Sequence, residues 1–179
     1  MKLRLAAIML TCAIAFPAWA ALPVGAAAPT FAVQATQAGR ITPFNLAEKL
    51  RRGPVVLYFF PAAFTSVCTI EAREFAARIP RFTAAGATVI GMTAGATNRL
   101  AEFSVSECRS AFAVAAASAP LMRSYDATSP RNPAMSDRTS YVIAPNGRII
   151  FSHTGSNPVE HAAQTLAAVQ TWRAANPRR

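Results

Sequence analysis

The chain has 179 residues, 53% of them hydrophobic, which excludes a disordered chain and is enough for one domain with a core. Its 18 basic and 8 acidic residues leave a formal charge of +10, but the arginines are scattered rather than clustered beside aromatics, which argues against a nucleic-acid footprint. Three cysteines are too few for a disulfide scaffold.

Residues 1–20 read as a signal peptide. Lys2 and Arg4 form a positive start, 5–16 an apolar run too short for a membrane span, and Ala18-Trp19-Ala20 a small-x-small cleavage site. Cleavage near Ala20 removes two positive charges, taking +10 to +8, and implies a periplasmic protein with no stable membrane association. A lipoprotein reading of Cys12 is disfavoured, because Thr11 stands where a smaller residue is preferred. Cleavage leaves Cys68 and Cys108, which an oxidising compartment allows to pair.

Residues 21–29, with Pro23, Gly25 and Pro29, read as an extended linker, 30–175 as one domain and 176–179 as a tail. In 30–36, Phe31, Val33 and Ala35 alternate as in a strand; 37–40 form a turn and 41–44 a short return strand. Asn45 is an N-cap for a helix over 46–52, with Gly53 as its stop. The run 55–60 is apolar on both faces, as a central strand covered by helices must be. A helix follows from Cys68, with Ile70, Phe75, Ile79 and Phe82 near helical spacing; Pro80 is expected to kink or end it, and Gly86 to close it. Residues 87–92 read as a second buried strand. Thr97 is read as the cap of a helix over 98–106, 112–117 as a weaker strand and 120–125 as a short helix. A loop spans 126–137. The Asn146-Gly147 turn between 139–144 and 148–154 marks a hairpin. The last helix spans 158–175, with Leu166, Val169 and Trp172 or Arg173 inward. This order predicts an α/β fold, a mixed sheet flanked by helices, of thioredoxin-like type.

Cys68 carries the chemical interest. A lone cysteine among apolar residues is usually a small buried hydrophobe, but this one begins a helix, has Thr65 three positions earlier, and is matched by Arg138 at the start of a later strand. A helix N-terminus favours an anion by about 0.3–1 kcal/mol, up to ~2 when partly buried. An ordinary thiol is already a few per cent ionised at neutral pH, so full ionisation gains only about 30-fold. Rapid chemistry on an O–O bond therefore needs donors aimed at the leaving oxygen, each worth roughly 2.7–4 kcal/mol. The Thr65 hydroxyl, the Cys68 amide and Arg138 are the candidates.

Three stretches, 55–61, 64–71 and 137–147, resemble the peroxiredoxins, most closely the peroxiredoxin Q or bacterioferritin comigratory protein group, and the resemblance extends over about 28–172. It implies a thiol-dependent peroxidase acting on hydrogen peroxide or organic hydroperoxides without cofactor or metal. It implies Cys68 as the peroxidatic cysteine, Thr65 and Arg138 as peroxide-binding residues, Pro61 as a shield over the sulfur, and Glu71 as the holder of Arg138. Where many members have a resolving cysteine, five residues after the first, this chain has Arg73. Others place it further on, and Cys108 is the candidate for an intramolecular disulfide. The implied reductant is a thioredoxin-like protein or a small thiol; if Cys108 is only structural, that external thiol also resolves Cys68. His153 and His161 are assigned surface or packing roles.

Two rival functions use the same fold. A thiol–disulfide oxidoreductase normally carries Cys-x-x-Cys, and the second position here is Glu71. A peroxide sensor shares the first chemical step and differs only in turnover.

Overall fold

The computed structural model describes residues 21–177; the signal-peptide reading of 1–20 falls outside them. Seven strands form one mixed sheet in the order β2-β1-β5-β4-β3-β6-β7. They are β1 Ala32–Gln37, β2 Arg40–Asn45, β3 Val55–Phe59, β4 Thr88–Thr93, β5 Ala113–Ala116, β6 Thr139–Ile143 and β7 Ile149–Thr154. The β3–β4 and β4–β5 pairs are parallel, and β3–β6 and β6–β7 antiparallel. The helices are α1 Leu46–Leu50, α2 Ser66–Ala84, α3 Leu100–Ser106, α4 Ala119–Ser124 and α5 Pro158–Ala175.

Strand parity explains why β3 is apolar throughout. Alternate side chains leave opposite faces of a sheet. Val56, Tyr58 and Phe60 enter a core shared with α2, α3 and α5, while Val55, Leu57 and Phe59 enter one shared with α1 and α4. On α2, Cys68, Ala72, Phe75 and Phe82 fall on the buried stripe. Tyr58 and Phe75 stack at 4.2 Å. Gly91 in β4 lies under Tyr58: a Cβ there would meet the Tyr58 ring and hydroxyl at 2.7 Å.

Several sequence expectations need correcting. Pro80 does not end α2; the helix runs through it to Ala84, held by the burial of Phe75, Ala76 and Phe82. The stop is at Gly86 (φ 78°), where Gly86 N donates to the Thr83 carbonyl at 2.8 Å and Ala87 N to that of Phe82 at 2.9 Å, the paired bonds of a Schellman end. Thr97 caps nothing. It opens a 3-10 turn, Thr97–Arg99, entered through left-handed Ala96 (φ 53°). The expected linker is extended but docked: Gly25 N donates to the Ile149 carbonyl at 2.8 Å and Ala28 N to that of Gly147 at 2.9 Å, which lays Leu22, Ala26 and Ala28 on the α1/α4-side core. The inner face of α5 includes His161, Ala162 and Thr165 beside Leu166 and Val169, while Trp172 and Arg173 are only half-buried.

Candidate active site

The site lies where β3 hands over to α2. Phe60 N donates to the Met92 carbonyl at 2.9 Å, and Ala63 N to that of Gly95 at 3.3 Å, tying the crossing to the end of β4. Phe64 then takes a left-handed backbone (φ 63°), a conformation costing an ordinary residue roughly 1–2 kcal/mol. Its ring is fixed edge-on against Phe103 at 5.2 Å and under the Arg99 guanidinium at 3.9 Å. Thr65 is the N-cap, and Cys68 is the third residue of α2, inside the first turn, where backbone amides have no intrahelical acceptor.

Cys68 is 2% exposed. Its sulfur accepts a hydrogen bond from Arg138 Nη2 at 3.3 Å. The other arm of that guanidinium, Nη1, donates to Glu71 Oε2 in a buried ion pair. One turn of α2 separates Cys68 from Glu71, so both face the segment leading into β6, where Arg138 waits. Burial lowers the Arg138 guanidinium, but Glu71 and Cys68 outweigh it and hold the group above its usual value. Burial likewise pushes the Glu71 carboxyl from 4.5 up to about 8, against the pull of Arg138.

A cleft of about 510 Å³ opens beside the sulfur's partner, lined by Pro61, Val67, Arg131, Asp137, Arg138 and Gly155 among others. Pro61 stands at its wall. The Thr65 hydroxyl donates to the Ala62 carbonyl at 3.1 Å and makes no cap bond to α2. The oxygen's lone pairs remain to accept a bond from an incoming O–H.

Cys108 is not at the cleft. It follows α3, is 0% exposed, and is a free thiol in the same core cluster as Cys68. Burial first, then Glu107, pushes its thiol well above the ordinary value. Among the described residues the buried Tyr58 hydroxyl has no hydrogen-bond partner; burial, then Cys108, Glu71 and Cys68, raises it well above its usual value, and both thiols share its core cluster. Arg73, at the position of the missing cysteine, bonds Glu107 at 2.8 Å and ties α2 to the Cys108 segment.

Two further residues escaped the sequence reading as parts of the site. Ser140 and His161 stand behind Glu71, joined at 2.7 Å. Their signals were available: Ser140 shares strand parity with Val142, which faces α5, and His161 lies on the same helix stripe as Thr165 and Leu166.

The AhpC/TSA family profile matches residues 24–152. The chain belongs to this family, the peroxiredoxins. It is 25% identical over 121 residues to peroxiredoxin Bcp of Xanthomonas campestris pv. campestris, covering 65% of this chain and 76% of that one. It is 27% identical over 148 residues to a putative chloroplastic peroxiredoxin Q of Oryza sativa subsp. indica, covering 82% of this chain and 66% of that one. The peroxidoxin BcpB structure from Mycobacterium tuberculosis superposes with a TM-score of 0.73 at 24% identity, over 83% of this chain and 96% of that one, a likeness of fold. This peroxiredoxin has the thioredoxin-like architecture expected from its element order, and it is a thiol-dependent peroxidase.

Proposed function

We propose that Cys68 is the peroxidatic cysteine of an envelope peroxiredoxin that reduces hydrogen peroxide and alkyl hydroperoxides and is resolved by Cys108. The observation that carries the reading is the contact of Arg138 Nη2 with Cys68 Sγ at 3.3 Å, at the first turn of a helix and beside a cleft. A cation and a helix N-terminus there stabilise negative charge that builds on the reacting atoms.

In the reaction, Cys68 Sγ, having given its proton to solvent, attacks the nearer oxygen of the peroxide. The S–O bond forms as the O–O bond breaks, and the leaving oxygen takes a proton to depart as water or alcohol. Sulfur is oxidised to the sulfenic acid and the peroxide is reduced by two electrons. Arg138 and the first-turn amides stabilise the charge building on the leaving oxygen. The Thr65 hydroxyl, its proton given to Ala62, orients the peroxide by accepting. Pro61 keeps water from the sulfur.

Resolution then condenses the Cys68 sulfenic acid with the Cys108 thiol, forming a disulfide and releasing water. A thioredoxin-like protein or small thiol returns both sulfurs to thiols. Cys108 is fully buried, so its segment must open first. Left-handed Arg109 (φ 51°) and Ser110 (φ 57°) directly after it store roughly 1–2 kcal/mol each that such opening releases. The same burial supports a second reading, in which Cys108 is structural and an external thiol resolves Cys68. The envelope address rests on the residue pattern of 1–20.

Non-reducing mass analysis before and after one equivalent of peroxide tests the scheme. A Cys68–Cys108 bridge supports it in full. A Cys68 sulfenic or sulfinic acid with Cys108 free leaves the external-thiol reading. Two unreacted thiols refute the peroxidatic role of Cys68.

A further inference from the structure

Behind the sulfur, guanidinium and carboxyl stands a side chain that the peroxidase chemistry does not use. His161, on the inner face of α5, is fully buried. Its Nε2 lies 3.0 Å from the Gly155 carbonyl oxygen, which only accepts. Nε2 therefore carries the ring proton, and Nδ1 presents a bare lone pair. The Ser140 hydroxyl, 2.7 Å from Nδ1, donates to it. Two bonds, one from β6 and one from the turn before α5, thus set both the tautomer and the plane of the ring.

The remaining neighbour is Glu71. Its Oε1 lies 3.9 Å from the same Nδ1 and has no hydrogen-bond partner among the described residues, while its Oε2 holds Arg138. Nδ1 has one lone pair, already taken by the Ser140 hydroxyl, so it offers Oε1 neither a donor nor a free acceptor, whether or not the carboxyl carries its proton. We infer that His161 is a positioning residue for the Cys68 reaction: its neutral ring backs Glu71 and leaves Arg138 as the carboxyl's one strong partner among the described residues, which keeps the guanidinium on the sulfur. This rests on the peroxidase reading of Cys68.

The charged and titratable groups facing the ring agree with a neutral imidazole. They are Glu71 from α2, Arg138 from the segment before β6, and His153 from β7, whose ring is 4.6 Å away; Glu160 of α5 lies 3.9 Å from His153. Burial, then His153 and Arg138, push His161 down to about 4, with the Gly155 bond opposing. Once protonated, Nδ1–H becomes a rival donor for Glu71, and Arg138 loses its undivided partner.

The test compares wild type with His161→Leu, His161→Asn and Ser140→Ala in stopped-flow peroxide oxidation and in the pH profile of Cys68 alkylation. His161→Leu is expected to slow oxidation about five- to tenfold, the size of one lost hydrogen bond felt at the sulfur, and to shift the alkylation profile. His161→Asn keeps an acceptor near Ser140 and recovers most of the rate. Ser140→Ala, a one-atom change, is expected to move the rate in the same direction and reports even if His161→Leu does not fold. Folded variants with wild-type rates and profiles, whatever their melting temperatures, overturn the inference and leave the peroxidase reading intact. A wild-type Cys68 inert to peroxide overturns both.

Discussion

Removing Arg138 should separate its two duties. Arg138→Met keeps the side-chain length and deletes the guanidinium that touches both Cys68 Sγ and Glu71 Oε2. At the sulfur this loses one preorganised donor, ~2.7–4 kcal/mol, or about 10²–10³ in kcat/KM. At Glu71 the loss appears in the pH dependence of stability. The carboxyl is raised from 4.5 to about 8 in the folded protein, so the folded state binds the extra proton between those values. Stability from this group is complete below about 4.5, falls as pH rises, and levels off above about 8. Without Arg138 the carboxyl titrates higher still, so the variant keeps losing stability above that point, by ~1.4 kcal/mol per pH unit relative to wild type. Urea unfolding across the alkaline range measures the divergence, and stopped-flow oxidation measures the rate. Adding Glu71→Gln should abolish the divergence without restoring the rate. A rate loss below tenfold, parallel alkaline stability curves, or a double variant with recovered activity would refute the assignment.

Thr65→Val should lower kcat/KM for peroxide by roughly 10²-fold in stopped-flow assays yet leave the urea midpoint nearly unchanged, because the hydroxyl makes no cap bond. Arg73→Ala removes a tie whose arginine is 53% exposed and worth about 0–1 kcal/mol; peroxide-driven disulfide formation, followed by quenched non-reducing mass analysis, should speed up by at most about fivefold. Tyr58→Phe deletes a buried hydroxyl with no partner among the described residues and should stabilise the fold by about 1 kcal/mol, read as a melting temperature a few degrees higher. His161 is held at about 4, below its ordinary 6.5, so the folded state resists the proton that the unfolded chain accepts. Its contribution to stability is complete above 6.5 and is lost as pH falls toward 4, by ~3 kcal/mol; His161→Leu should flatten that part of an acid denaturation series.

Local chemistry was enough to place a strand within 55–60, a helix with Cys68 in its first turn, the Asn146-Gly147 hairpin and the final helix, because each is specified by near neighbours: a two-faced apolar run, a strand-to-helix junction, a turn pair, a 3.6-residue stripe. Thr65, Cys68 and Arg138 could be singled out from a helix start, a hydroxyl three positions earlier and an arginine at a strand entry, whereas Glu71 came only from the family resemblance; the structure brings Cys68, Arg138 and Glu71 into contact and leaves Thr65 bonded to Ala62. What the chain order does not contain is distance across the sheet. Only the packing of α5 against β6 and α2 brings Ser140 and His161 behind Glu71. Only the approach of α2 to the segment after α3 turns Arg73 onto Glu107. The course of α2 past Pro80 and the docking of 21–29 on the β6–β7 hairpin are likewise tertiary outcomes, in which buried side chains and cross-strand hydrogen bonds outweigh a local breaker and a linker-like composition.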